Sequence, residues 1–276
     1  MKKYFQAPWT AKDISRILLT TAILMGSSIY FVNQFGLSDN DIQGWILMPM
    51  FLLQWVVMLL PIYIFTRGKH KLSTETFGIK KVGLRSTVSL VIKGYLLYLA
   101  INFLIGILIV FKGIEIPGYQ VQEEILPLFG SQTIDLVLAG TIIILVAPVI
   151  EEIVFRGFLL RGLVNHYGKV IGSVVAAFIF SALHFPWQSF IPIFILGLVM
   201  NSMVIKSKSI IPSIVFHMTN NAIAFSLQVA IMKNPNFLED AFETSLAIIE
   251  KLVYMFSVVI IPLLKISLIC PSSSAG

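Results

Sequence analysis

The chain has one cysteine, Cys270, so it can form neither an intrachain disulfide nor a cysteine-based zinc site. Cys270 is not four residues from the end, and we expect no prenylation box there. Charge is scarce as well. Asp, Glu, Lys and Arg make up 12% of the 276 residues, whereas a soluble domain is about a quarter charged. Gly-rich phosphate loops, heptads, internal repeats and low-complexity tracts are missing. So is His-Glu-x-x-His, the usual zinc-protease helix. We expect no cleavable signal peptide, because an amphipathic stretch follows Met1-Lys2-Lys3 rather than a short apolar core. The ending Ser-Ser-Ser-Ala-Gly is left out of the fold reasoning.

Apolar residues are abundant. They make up 57% of the chain, and the mean hydropathy is +0.89. Long apolar runs exclude disorder as the main state. The composition predicts an all-α fold: a polytopic membrane helical bundle forming one membrane domain over 1–276. A spanning helix needs about 20 apolar residues. Eight such stretches are expected, at 16–36, 44–66, 87–111, 134–163, 169–184, 189–205, 210–231 and 246–269.

The net charge of +6 does not point to nucleic acid; it follows from where the cations sit along the chain. Sixteen of the 20 Lys and Arg fall on one side of the expected spans, from Lys2 and Lys3 to Lys265. The other side has only Lys112 and Lys233 and holds most of the acids. Lys93 and Lys251 fall inside spans, where long side chains snorkel. The positive-inside rule then places both termini in the cytoplasm of a multi-pass cell-membrane protein. The basic segment 67–87 reads first as a topology determinant and second as an anionic-lipid contact. Phe5, Trp9 and Ile14, spaced among polar residues, suggest an interfacial stretch over 5–15.

Against this apolar background, a few polar residues stand out. They are Glu151, Glu152, Arg156, His184, His217 and Asn221. A charge at membrane depth costs roughly 2.5–3.5 kcal/mol on insertion scales, so such residues usually mark function. Glu152 and Arg156 are four apart on one helical face and can neutralise each other. Glu151 points about 100° away and has no local cation, which suits a general base. The competing reading is a structural ion-pair cluster.

A turn is expected near Asn165-His166-Tyr167-Gly168. Glu151 lies 16 residues before Tyr167 and His184 lies 17 after it, so antiparallel helices bring both to one depth. A packed histidine is the alternative for His184. Phe180, one turn earlier, would wall its ring. His217 and Asn221 share a face and can both donate, as an oxyanion site requires, or else bond neighbouring helices. Asn201, Ser202 and Asn220 suit the latter role. Pro148 is expected to kink the helix before Glu151. His166 and His70 are assigned no chemistry.

Glu-Glu-x-x-x-Arg at 151–156, Phe-x-x-x-His at 180–184 and His-x-x-x-Asn at 217–221 resemble the CPBP family, the Abi-type CAAX proteases and bacteriocin-processing enzymes. The resemblance is carried by about 150–221, within an expected catalytic core of roughly 134–231. It implies an eight-helix intramembrane endopeptidase. Glu151 and His184 would activate water, His217 and Asn221 would stabilise the oxyanion, and Glu152 with Arg156 would hold the site together. Its members act on prenylated proteins, or in bacteria serve peptide maturation, self-immunity and signalling-peptide processing. The expected substrate is therefore a hydrophobic or lipidated peptide, with membrane lipids around it and no nucleic acid. A metal-free glutamate mechanism is favoured, with no cofactor. The alternative is zinc held by Glu151, His184 and His217. Rival readings are a non-catalytic immunity or signalling partner and a transporter. A transporter predicts inverted repeats, which this sequence does not show.

Overall fold

The computed structural model describes residues 4–34, 44–67, 70, 73–113, 116–119, 129–130, 132–184, 187–237 and 239–245. Most of these are helical, and there is no strand among the described residues. The helices are α1 (Ala11–Gln34), α2 (Gly44–Arg67), α3 (Leu84–Lys112), α4 (Thr133–Gly140), α5 (Ala147–Glu152), α6 (Arg161–Ala182), α7 (Phe190–Ser207) and α8 (Ile211–Lys233). Two π-helical segments, Thr141–Val146 and Ile153–Leu160, join α4 and α5 to the start of α6.

Five of the described stretches are long and apolar enough to cross a membrane: Pro49–Thr66, Leu84–Ile109, Thr133–Ala182, Trp187–Ser207 and Ile211–Lys233. The third is 50 residues long. At 1.5 Å per residue it would measure about 75 Å unbent, more than twice the hydrocarbon thickness. It breaks at Gly168, where φ is 80° and ψ is 173°. This left-handed φ suits glycine, and the chain reverses there. Gly172 then lies so close that an added Cβ would meet the Val164 nitrogen at 2.6 Å. The fourth and fifth expected spans are thus one helical stretch folded at its glycine. α1 occupies the first expected span but is not among the five. The expected span at 246–269 lies outside the described residues.

The chain forms two compact units, Met1–Phe225 and Ser226–Gly276. In the second, the Asn234 amide donates to Asp240 Oδ2 at 3.0 Å just after α8. In the first, the core gathers Trp9, Phe158, Phe180, Met200 and Phe216. Phe5, Trp9 and Ile14 are buried in this protein core, which corrects the interfacial expectation for 5–15. Their apolar faces find protein partners. Trp9 packs on Phe158 at 5.0 Å and on Phe77 at 6.0 Å.

Arg156 and Arg161 are also buried, so neither is a loop cation. Arg161 instead ties the N-terminal segment down. Its Nε and Nη2 donate to the Tyr4 carbonyl at 3.1 and 2.6 Å, and its Nη1 donates to the Glu75 and Thr76 carbonyls. Its guanidinium also lies 4.7 Å from the Tyr4 ring centre. Burial pushes the Tyr4 phenol up to about 12, against the opposing pull of Arg161. The phenol is therefore neutral at physiological pH.

Candidate active site

Pro148 shapes the helix that carries the two carboxylates. It has no N–H, so it cannot close the five-residue π-type bond back to Ile143. The Ala147 N–H is already bonded to the Ile142 carbonyl. The Ile143 carbonyl therefore needs a partner from elsewhere. Asn221 supplies it from α8, donating from Nδ2 at 2.9 Å. The helix continues past Pro148 between its two π segments. Such bulges widen a helix and recur at functional sites.

Glu151 and Glu152 end α5 and face different partners, as their angular separation requires. Glu152 lies in a dry inner layer. Its Oε1 accepts from Arg156 Nη1 at 2.6 Å and stands 3.1 Å from His217 Nδ1. Arg156 Nε donates to Asn201 Oδ1 at 3.2 Å, and Asn201 Nδ2 donates to the Ser173 carbonyl at 2.9 Å. The side chains of Glu152 and Arg156 are 0% and 1% exposed. Two opposite charges this dry hold each other in place, and each becomes costly if its partner is removed.

Glu151 and His184 form an outer layer, with side chains 18% and 26% exposed. Glu151 Oε2 lies 3.5 Å from His184 Nε2 and 3.8 Å from His217 Nε2. Both distances are at or beyond the limit of a good hydrogen bond, and Oε2 has no hydrogen-bond partner. The other nitrogen of His184, Nδ1, is 2.7 Å from the Phe180 carbonyl. That contact requires a proton on Nδ1 and turns Nε2 toward Glu151.

Phe180 separates the layers. Its ring centre is 4.2 Å from the Arg156 guanidinium, 4.3 Å from the His184 ring and 6.0 Å from the His217 ring. It is the wall expected of it. Five of the six expected polar residues, Glu151, Glu152, Arg156, His184 and His217, are thus joined in one cluster, and Asn221, one turn after His217 on α8, bonds the helix that carries the carboxylates at Ile143. His217 and Asn221 stay on one face of α8: His217 Nδ1 meets Glu152, its Nε2 faces Glu151 at 3.8 Å, and one Asn221 N–H bonds Ile143. Asn220 bonds α3 instead, accepting from the Tyr95 hydroxyl at 3.2 Å. His166 Nε2 is 3.3 Å from the Trp9 carbonyl, and His70 lies 4.0 Å from Asp13, both away from this cluster.

The family model described as Rce1-like, type II CAAX prenyl endopeptidase Rce1-like, matches residues 133–223. Over these residues the chain is similar to that family, consistent with a CPBP-type intramembrane protease. The match starts at the first residue of α4 and ends two residues past Asn221, so it contains all six of these polar residues. Type II CAAX prenyl endopeptidases are peptide hydrolases, so the match supports a membrane protease acting on a peptide. No curated protein and no solved structure matches the chain.

Zinc on Glu151, His184 and His217 was the alternative from sequence. Among the described residues, no group of three His, Cys, Asp or Glu side chains is set to hold a metal ion. Two histidines and a glutamate are a donor set that zinc can use, so zinc on these three residues stays the alternative; the chemistry below contains no metal step.

Proposed function

We propose that the protein hydrolyses a peptide bond of a hydrophobic or lipidated peptide by glutamate-activated water. The observation that carries this reading is Glu151 Oε2, buried, without a hydrogen-bond partner, and facing two imidazole Nε2 atoms. A water bound there loses its proton to Glu151, with His184 Nε2 orienting it. The hydroxide attacks the scissile carbonyl carbon, and the carbonyl oxygen becomes an oxyanion. His217 Nε2 and the second N–H of Asn221 are the donors assigned to that oxyanion. For Nε2 to donate, His217 must carry protons on both nitrogens, and Glu152 at Nδ1 supplies the counter-charge. Collapse of the intermediate breaks the C–N bond. The proton held by Glu151 passes to the leaving nitrogen, giving an acid and an amine. Glu152, Arg156 and Asn201 act as support.

The excess of Lys and Arg on one set of loops supports cytoplasmic termini in the cell membrane. The proposed arrangement is a single membrane domain with its catalytic core at about 134–231. We assign the activity to peptide maturation or self-immunity, on prenylated or otherwise hydrophobic peptides.

The test is cleavage of a quenched fluorescent peptide library, with prenylated members, by the full chain purified in detergent. Cleavage that persists in a strong chelator supports the reading. If the protein cleaves nothing while still folded, and Glu151→Ala leaves its cellular effect intact, a binding role replaces it.

A further inference from the structure

Within the first unit, the apolar helix α3 holds a phenol against α8, the helix that carries His217 and Asn221. Gly94 is buried where α3 meets α7 and α8, and a Cβ there would run into Met203 and Phe216. The missing side chain lets α3 approach closely enough for its neighbour Tyr95 to reach α8. The Tyr95 ring packs on Phe216 with centres 4.8 Å apart, and its hydroxyl donates to Asn220 Oδ1 at 3.2 Å. Asn220 Nδ2 stands 3.5 Å from Asn221 Oδ1, a long contact that brings opposite partial charges together. Asn221 Nδ2 then donates to the Ile143 carbonyl at 2.9 Å.

The direction of this chain is fixed at its far end. A carbonyl oxygen can only accept, so the Asn221 amide turns its NH2 toward Ile143 and its oxygen away. The NH2 of Asn220 meets that oxygen. With its NH2 so placed, Asn220 offers its own oxygen to Tyr95, whose hydroxyl can donate. Every donor in the series points the same way, and such aligned hydrogen bonds polarise one another in a low-dielectric interior. Asn221 Nδ2 has two hydrogens, and the one not taken by Ile143 is the one assigned above to the oxyanion.

We propose that Tyr95 and Asn220 are positioning residues for Asn221. They hold its amide in the orientation that presents an N–H to the oxyanion, and they polarise that N–H as a donor. The proposal rests on the catalytic reading of Asn221 given above. An ordinary hydrogen bond between α3 and α8 affects stability alone. A relay that ends at Asn221 also affects the transition state, and it does so only through Asn221.

The test uses the full chain in detergent and a peptide that wild type cleaves. Tyr95→Phe removes only the hydroxyl, and Asn220→Leu removes the amide at similar size. Loss of a whole oxyanion donor costs about 10²–10³-fold in kcat; these variants keep Asn221, so each should lower kcat roughly tenfold with KM unchanged. In an Asn221→Ala background, Tyr95→Phe should lower kcat no further. Tyr98→Phe removes the next phenol along α3, outside the relay, and should leave kcat unchanged. The proposal is overturned by normal kcat in folded Tyr95→Phe and Asn220→Leu, by a loss of equal size with and without Asn221, or by an equal loss in Tyr98→Phe. Thermal unfolding gives a second reading that needs no turnover. The fall in Tm of Tyr95→Phe with Asn221→Ala should be smaller than the sum of the two single falls, although the two side chains are linked only through Asn220. Cleavage by wild type with strictly additive Tm values overturns the relay alone. Coupled Tm values in a protein that cleaves no peptide show instead that the catalytic reading has failed, and with it the role given to Tyr95 and Asn220.

Discussion

The side chain of Asn221 donates a hydrogen bond to the Ile143 carbonyl at 2.9 Å, across two helices. Ile143 needs that bond because Pro148 has no N–H to offer it. A residue expected to serve the oxyanion thus also completes the backbone of the helix bearing Glu151.

This relationship predicts a coupled pair. Asn221→Ala leaves a carbonyl unsatisfied and should cost about 1–3 kcal/mol of stability. Pro148→Ala restores an N–H to the helix and should recover part of that loss in the double variant. A double-mutant cycle on thermal unfolding in detergent measures the coupling. Strict additivity would show that Pro148 does not create the need for Asn221.

Arg156→Ala strands Glu152 in the dry layer, together with the Asn201 oxygen. The expected loss is about 3–5 kcal/mol, along with activity. Arg156→Lys should restore only part of it, because one ammonium cannot reproduce the bonds from both Nε and Nη1. Unchanged unfolding of Arg156→Ala would contradict a stabilising role for the ion pair.

Arg161→Ala removes the donors that hold the Tyr4, Glu75 and Thr76 carbonyls. The segment around Tyr4–Trp9 should become sensitive to limited proteolysis, while wild type resists. Equal cleavage patterns would show that Arg161 does not anchor this segment.

Metal dependence is predicted from the ligand geometry. A strong chelator should leave the initial cleavage rate within about twofold, since no described trio of ligands is arranged for a metal. Loss of turnover restored by added zinc would favour the Glu151, His184 and His217 alternative.

Much of the cluster was legible in the sequence because helical geometry is periodic. Residues four apart share a face, which places Arg156 against Glu152. Equal chain lengths on either side of a turn place His184 opposite Glu151, and Gly168 supplies the break that makes the turn. Other features depend on tertiary partners that periodicity does not encode. The Asn201 contact to Arg156 joins positions 45 residues apart, and its only signal was a lone amide in an apolar helix. The π segments around Glu151 were not foreseen, because Pro148 suggests a kink equally well. Phe5, Trp9 and Ile14 look the same in sequence whether they face lipid or protein. Arg161 looked like a loop cation until Tyr4 and Thr76 were seen folded over it.

The most direct measurement is the turnover of Glu151→Gln beside wild type, on the same cleaved peptide, with equal folding confirmed by thermal unfolding. The substitution keeps the shape of the side chain and removes the base. General-base catalysis is worth about 10²–10⁴-fold, so turnover should fall by at least about 100-fold with little loss of stability. Near-normal turnover in the folded variant would contradict Glu151 as the group that activates water.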